Sequence, residues 1–390
     1  MRRVLFTALA LLLPVVPGVG GVADAAATTH EVQAGAVHPT NPLAPYEYTR
    51  YYPSEVRVHR GDTVEWSIAF QKSIDLAFHS VTFLGSNTAK RAPFARAEEV
   101  PGEMAFAEGA WERSEKCGLP DEPVCVLTQP GQVLSSGVLA IRAVPPPTFR
   151  VQFELPVGRY RYLCSIHAPM VGFVNVVPPR APLRNPSRAQ IDREIARDTA
   201  AMDAVIARYS KPSAATVDGQ RVWTVTMEPR TRDSHVAALG YYPTNLKVRA
   251  GDRVRWVAQG GEIHTVAFPA ESKNPPGPSF FPRCDPDSPT SGAFGIPYPG
   301  LDCPFGATEV GMGPGLTAQQ RAPGDAVTTQ ATVHSSGIIA EPSGSEHSAV
   351  KPDGSRWPIE FAAAFPRAGT FGYACQVHTE LPMVGSVVVE

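Results

Sequence analysis

The sequence predicts an all-β protein built from two similar domains that a single α-helix joins. The chain of 390 residues contains 40 Pro and 33 Gly, a composition that favours short strands and long turns over helices. The same alternating apolar pattern occurs once in each half of the chain, and only one stretch between the halves has helical periodicity. A chain of this length is also too long for one small core.

The duplication is visible residue by residue. The segment "YYPSEVRVHRGDTVEW" begins at Tyr51, and "YYPTNLKVRAGDRVRW" begins 190 positions later at Tyr241. In both copies the alternation of apolar residues is broken by Gly-Asp, which predicts a strand, a turn and a second strand. Further on, "LSSGVLA" from Leu134 corresponds to "HSSGIIA" from His334. We therefore predict a whole-domain duplication and call the two copies the first and the second repeat.

The segment between the repeats is typical of an amphipathic helix. Ser187 and Gln190 have the spacing of a capping box, which predicts that the helix begins there. We expect the helix to pack between or against the two domains and to fix their relation. Its apolar residues fall on one stripe: Ile191, Ile195, Met202 and Ile206.

The N-terminus has the pattern of a secretory signal peptide. Arg2 and Arg3 precede an apolar run that ends in small residues, so we expect cleavage after Ala25 or Ala27. An uncleaved anchor is the alternative, but the run is short and broken by Pro and Gly. Export predicts a periplasmic, cell-surface or extracellular protein without a transmembrane segment in the mature chain.

The predicted organisation follows from these patterns. The signal peptide spans 1–25, the first domain 26–180, the helix-containing linker 181–215 and the second domain 216–390. The formal charge of -2 and the absence of a clustered basic stripe argue against a nucleic-acid partner.

The cysteines divide into two local pairs and two single residues. In an exported protein, neighbours in the same insert pair naturally, which predicts the disulfides Cys117–Cys125 and Cys284–Cys303. Cys164 and Cys375 remain, at equivalent places in the two repeats. A disulfide between them is the alternative and requires the two loops to face each other. We expect instead that each thiol is bound by a partner other than a second cysteine.

Each of these two thiols belongs to a loop that also supplies an imidazole and a thioether. The loops are "YRYLCSIHAPMVG" and "FGYACQVHTELPMVG", and each repeat has a further histidine upstream. Such soft or borderline donors suit copper or zinc better than magnesium or calcium. The predicted metal ligands are His79, Cys164, His167 and Met170 in the first repeat, and His264, Cys375, His378 and Met383 in the second.

This donor set is typical of a blue-copper electron-transfer site. One thiolate and two imidazoles form a trigonal plane, and a thioether is a weak axial ligand. Zinc is the alternative metal, but zinc sites rarely include a thioether. A buried His or Met can also serve packing alone. Because the whole set occurs twice, we expect two type 1 copper ions per chain.

These residues resemble the cupredoxins, the small blue copper proteins. The spacing of the first loop is similar to that of amicyanin, and the spacing of the second to that of plastocyanin and pseudoazurin. The resemblance implies a Greek-key β-sandwich in each domain with copper at one end. It also implies that His79 and His264 are buried, and that His167 and His378 lie at the solvent edge, where electrons leave. The long inserts before each Cys depart from the family.

Three functions are compatible with these motifs. We expect an electron carrier with redox protein partners and no catalytic residues. A copper-handling protein of the cell envelope is the first alternative, and a multicopper oxidase or a nitrite-reductase-like enzyme with a further copper is the second. The enzyme is disfavoured because H-x-H pairs are absent and Leu163 and Ala374, not histidines, precede the two Cys ligands. His235 and His334 are the candidates for such a further site.

Overall fold

The structure is a computed structural model, and the statements below concern the residues that it describes. The predicted signal peptide, the predicted pair Cys284–Cys303 and the predicted ligand His378 lie outside them. The described residues are 27–41, 43–68, 78–83, 117–118, 122–140, 148–164, 167, 170–260, 263–270, 326–329, 334–337, 339–340, 358–375 and 383–390.

The first repeat forms two five-stranded sheets, ordered β3-β1-β5-β9-β7 and β4-β11-β10-β6-β8. The order is not sequential, because strands cross from one sheet to the other along the chain. Its strands are β1 (Thr29–Ala34), β2 (Tyr46–Tyr48), β3 (Tyr51–Tyr52), β4 (Glu55–Val58), β5 (Thr63–Ile68), β6 (Phe78–Phe83), β7 (Cys125–Leu127), β8 (Leu134–Ala140), β9 (Thr148–Phe153), β10 (Gly158–Leu163) and β11 (Val171–Val176).

The second repeat has the same plan. Its sheets are β12-β13-β17-β22, with β15 also paired to β13, then β16-β24-β23-β19-β20, and the pair β18-β21. Its strands are β12 (Ser213–Val217), β13 (Gln220–Met227), β14 (Val236–Ala238), β15 (Tyr241–Tyr242), β16 (Asn245–Val248), β17 (Arg253–Ala258), β18 (Ile263–His264), β19 (Ala267–Phe268), β20 (His334–Ser335), β21 (Ile339–Ala340), β22 (Glu360–Ala364), β23 (Gly369–Ala374) and β24 (Val384–Val389).

A buried tryptophan marks the centre of each sandwich. Alternation along β5 and β17 turns every second side chain inward, which buries Trp66 and Trp256 completely. The Trp66 ring lies 5.2 Å from Tyr162, and the Trp256 ring lies 5.2 Å from Tyr373, both edge to face. The predicted fold class, all-β sandwiches with one α-helix, is confirmed for the part of the chain that the structure describes.

The two repeats meet along a short antiparallel pair, β2 with β14, in which Glu47 lies opposite Ala237. The predicted helix, α1 (Arg188–Tyr209), packs on this pair. Tyr48 Oη and Thr199 Oγ1 are 2.6 Å apart, which ties the helix to the junction. The helix lies inside the predicted linker, whereas the predicted domain boundaries stay predictions. Within the described residues, no helix is long and apolar enough to cross a bilayer.

Among the described cysteines, the bonded pair and the two unbonded residues are those that the sequence predicted. Cys117 and Cys125 form a disulfide that fixes the start of β7. Cys164 and Cys375 form no disulfide; each is buried in the core of its own repeat. The alternative of a covalent link between the repeats through these two residues is therefore wrong.

Candidate metal centres

The candidate ligands of the first repeat come from two neighbouring strands and the loop that follows one of them. His79 lies on β6, and Cys164 comes directly after β10. Because β6 and β10 pair through Thr82 and Leu163, the histidine and the cysteine lie side by side. His167 belongs to the loop that leads from Cys164 into β11.

The donor atoms of these residues form a small triangle. The Nδ1 atoms of His79 and His167 are 3.1 Å apart, and the Cys164 Sγ lies 3.9 Å from the first and 3.5 Å from the second. A trigonal metal with bonds of about 2.0 Å to nitrogen and about 2.3 Å to sulfur separates its donors by roughly 3.5 Å. The residues therefore fit a metal ion in this plane. Among the described residues this is the one cluster of three or more such side chains.

The surroundings favour a thiolate at Cys164. The backbone N–H of Ser80 donates to the sulfur over 3.3 Å. Burial raises the pKa of the thiol, but the nearby imidazoles of His167 and His79 outweigh burial and hold the pKa well below its usual range. A buried thiolate is the form of cysteine that binds metal.

Backbone hydrogen bonds close the loop around this site. The Cys164 N–H donates to the carbonyl of Met170 over 2.9 Å, and the Met170 N–H donates to the carbonyl of His167 over 2.9 Å. Met170 is completely buried in the core that contains Cys164. These bonds hold the backbone of Met170 next to that of Cys164 and His167.

A carboxylate holds the outer nitrogen of His167. Its Nε2 lies 2.8 Å from Oε1 of Glu47 on β2, and both side chains are buried. Burial raises the pKa of Glu47, but the charge and hydrogen bond of His167 lower it overall. The expectation that His167 lies at the solvent edge is wrong: its exposed fraction is 3%. The residue is covered because β2 is held in place by β14 of the second repeat.

The second repeat has the same backbone arrangement. His264 ends β18, Cys375 directly follows β23, and Met383 directly precedes β24. The Thr265 N–H donates to the Cys375 sulfur over 3.4 Å, and the Cys375 N–H donates to the Met383 carbonyl over 3.0 Å. These are the two bonds seen in the first repeat. The fourth predicted ligand, His378, lies outside the described residues, so the complete set stays a prediction.

A buried ion network holds His264. Its Nε2 lies 2.9 Å from Oε2 of Glu228, and Arg230 donates to Oε1 of the same carboxylate over 2.8 and 3.1 Å. Burial opposes ionisation of Glu228, but Arg230 and His264 lower its pKa to about 2. Burial lowers the pKa of His264, but Cys375 and Glu228 raise it to about 10.

The comparisons with known proteins give weak partial matches. No family model and no curated protein matches the chain. A Cu(I) structure of a methionine-to-alanine mutant of amicyanin is 16% identical, covers 46% of this chain and 93% of its own, and has a TM-score of 0.20. The oxidised form of plastocyanin from Dryopteris crassirhizoma is 15% identical, covers 38% of this chain and 100% of its own, and has a TM-score of 0.21.

The chain is similar in part to amicyanin and plastocyanin. At these TM-scores the similarity does not indicate a function. A function is therefore inferred from the geometry of the site alone.

The two carboxylates were missed by the sequence analysis. Glu47 lies in the segment "YEY", where nothing marks it, and its counterpart 190 positions later is Ala237. Glu228 has a weak signal, since it is an acidic residue at the end of an apolar strand and is followed two positions later by Arg230. His235, a candidate for a further copper site, instead lies beside Arg50 and Asp233.

Proposed function

We propose that the protein is an exported electron-transfer protein with one type 1 copper site in each repeat. The observation that carries this is the buried triangle of two imidazole Nδ1 atoms and one thiolate, whose members lie within 4.8 Å of one another. The proposed ligands are His79, Cys164, His167 and Met170 in the first site, and His264, Cys375, His378 and Met383 in the second.

Copper supplies a one-electron couple when it is bound to such donors. The protein supplies a rigid frame. His79 is fixed by a strand, and the loop ligands are fixed by the hydrogen bonds between Cys164, His167 and Met170. Because these side chains are buried, water is kept from the donor atoms. A frame that stays the same in both oxidation states reduces the reorganisation that accompanies each transfer.

Export is supported by the pattern at the N-terminus and by the disulfide Cys117–Cys125, because disulfides persist mainly in oxidising compartments. We therefore place the protein in the periplasm, on the cell surface or outside the cell. The partners of this proposal are redox proteins that donate and accept single electrons.

Copper handling is a second candidate, and the burial of His167 favours it. A site without an exposed ligand edge suits retention of the ion as well as exchange of electrons. The rate of electron self-exchange distinguishes the two functions, because a storage site does not require fast cycling. An oxidase or reductase requires a third copper, which metal analysis would reveal.

The test of the proposal uses the two cysteines at the sites. Cys164→Ser and Cys375→Ser should each remove part of the intense thiolate-to-copper absorption of the oxidised protein, and the double variant should be colourless. Cys117→Ser combined with Cys125→Ser is the matched control and should keep the full absorption. A coloured double variant, or complete loss of colour in one single variant, would contradict two independent sites.

A further inference from the structure

The two candidate sites use buried carboxylates in different ways. Glu47 and Ala237 lie opposite each other in the β2–β14 pair and are counterparts in the duplication, so only the first repeat has a carboxylate at this place. Glu47 contacts His167, which follows the thiol ligand, whereas Glu228 contacts His264, which precedes it. Among the described residues, a carboxylate therefore contacts one candidate imidazole in each repeat, and the two imidazoles are not equivalent.

The contact of Glu47 is short and buried. Its Oε1 lies 2.8 Å from the Nε2 of His167, and the two side chains are 8% and 2% exposed. The charged groups that act on Glu47 are His167, Glu228 and His79. Glu47 therefore lies on the side of the first site that faces the second repeat.

The chemistry of imidazole gives this contact a consequence. When one ring nitrogen donates its proton to a carboxylate, the lone pair of the other is available to a metal, and the ring cannot turn. In His167 the carboxylate is at Nε2, and the remaining nitrogen, Nδ1, is the one 3.5 Å from the Cys164 sulfur. The short contact of Glu47 at Nε2 is thus compatible with Nδ1 as the nitrogen that faces the triangle.

Strand pairing alone does not explain why a buried carboxylate, Glu47, lies on β2. Burying a charged group is unfavourable unless it is paired. Ala237 occupies the equivalent position on β14, and both strands keep the same pairing. The backbone pairing of the junction therefore does not by itself call for a carboxylate at this position.

We propose that Glu47 is a positioning residue of the first copper site, which holds His167 with Nδ1 toward Cys164 from the strand that joins the repeats. The proposal rests on the proposed copper site. It means that the strand that pairs with the second repeat also supports the first copper site.

The experiment isolates the first site in the full chain with Cys375→Ser. In that background Glu47→Ala should lower the Cu(I) affinity, measured by competition with a chromophoric chelator, by roughly 10- to 100-fold. The optical and EPR spectra of Cu(II) should change with it. Glu47→Gln should raise the reduction potential, because the neutral amide makes the imidazole a weaker donor for Cu(II).

Two controls separate positioning from general destabilisation. Glu154→Gln, which changes an exposed carboxylate paired with Arg60, should leave the spectrum and the affinity of the first site unchanged in the same background. In the reciprocal Cys164→Ser background, Glu47→Gln should keep the thiolate-to-copper absorption of the second site. If the Glu47→Ala variant does not fold, the isosteric Glu47→Gln variant tests the role of Glu47 in its place.

The outcomes are distinct. Unchanged affinity, spectrum and potential in folded Glu47→Gln would overturn the role of Glu47, as would lower stability with unchanged spectra in Glu47→Ala. A colourless copper-loaded Cys375→Ser protein with Glu47 intact would instead overturn the proposed copper site in the first repeat.

Discussion

The two candidate metal centres share a backbone framework but differ in what holds their imidazoles. In both repeats a backbone N–H, of Ser80 or Thr265, donates to the thiol sulfur. In both, the cysteine N–H donates to the carbonyl of the methionine, Met170 or Met383. The backbone hydrogen bonds that position the cysteine sulfur are therefore the same in both repeats. The side chains that contact the histidines differ between the repeats.

One pair of equivalent positions shows this difference directly. Ala34 pairs with Tyr51, and Met227 pairs with Tyr241, so the next residues, Gly35 and Glu228, are equivalent. Both have left-handed backbone angles, with φ of 71° and 48°. A Cβ at position 35 would lie only 2.7 Å from Nε2 of His79, so glycine leaves room for that ring. At the equivalent place in the second repeat, a carboxylate binds the ring.

The largest effect is expected from Glu228→Gln. This change removes the charge that neutralises the buried guanidinium of Arg230, and breaking a buried pair costs about 3–5 kcal/mol. The free energy of unfolding of the apo-protein, measured with urea, should fall by that amount.

The matched control is Glu154→Gln, which breaks the exposed pair with Arg60 and should cost less than about 1 kcal/mol. Equal effects of the two substitutions would show that the Glu228 network contributes no special stability to the second repeat.

A smaller effect on stability, but a specific one on the first site, is expected from Gly35→Ala. A left-handed angle costs about 1–2 kcal/mol for alanine, and the new Cβ also displaces His79. The absorption of the first site, measured in the Cys375→Ser background, should therefore be shifted or lost.

Gly219→Ala is the control for backbone strain alone. Gly219 has a similar φ of 77°, and no atom of the described residues lies within 4 Å of the position that a Cβ would take there. This variant should lose similar stability and keep the spectrum. An unchanged spectrum in Gly35→Ala would contradict the close approach of residue 35 to His79.

The smallest effect distinguishes two equivalent turn residues, Asp62 and Asp252. Asp62 accepts from Thr28 on Oδ1 and from His59 on Oδ2, so one amide oxygen cannot replace it. The bonds described at Asp252 both use Oδ2, which an asparagine can supply. Asp62→Asn should cost about 1–2 kcal/mol, and Asp252→Asn less than about 1 kcal/mol.

The cost of Asp62→Asn should depend on pH. Burial raises the pKa of Asp62, but the bonds from Thr28, His59 and His30 lower it overall. Stability from a depressed carboxyl pKa is present above the unfolded value of about 3.9 and is lost as the pH falls through the folded value. The difference from the wild type, measured with urea, should therefore shrink below about pH 4. A constant difference would show that ionised Asp62 is not responsible.

The sequence predicted those parts of the molecule that depend on local pattern. Alternation around Trp66 and Trp256 indicated the strands, and the repeated loops indicated Cys164 and Cys375 as the anchors of two sites. These features occur twice and are set by residues close in sequence. The single helix was predicted for the same reason.

The supports of the histidines could not be predicted in this way. Glu47 reaches His167 across 120 positions of sequence, and its strand is held by β14 of the other repeat. Comparing the two repeats did not reveal Glu47, because the equivalent residue of the second repeat is Ala237. The burial of His167 follows from the same junction, so the expected solvent-edge position was wrong.

Metal analysis of the copper-loaded wild-type protein, combined with the optical and EPR spectra of its oxidised form, tests the central claim most directly. The account predicts two copper ions per chain, an intense thiolate-to-copper absorption and type 1 EPR signals from both. A colourless oxidised protein with copper bound, or a stoichiometry other than two, would contradict it.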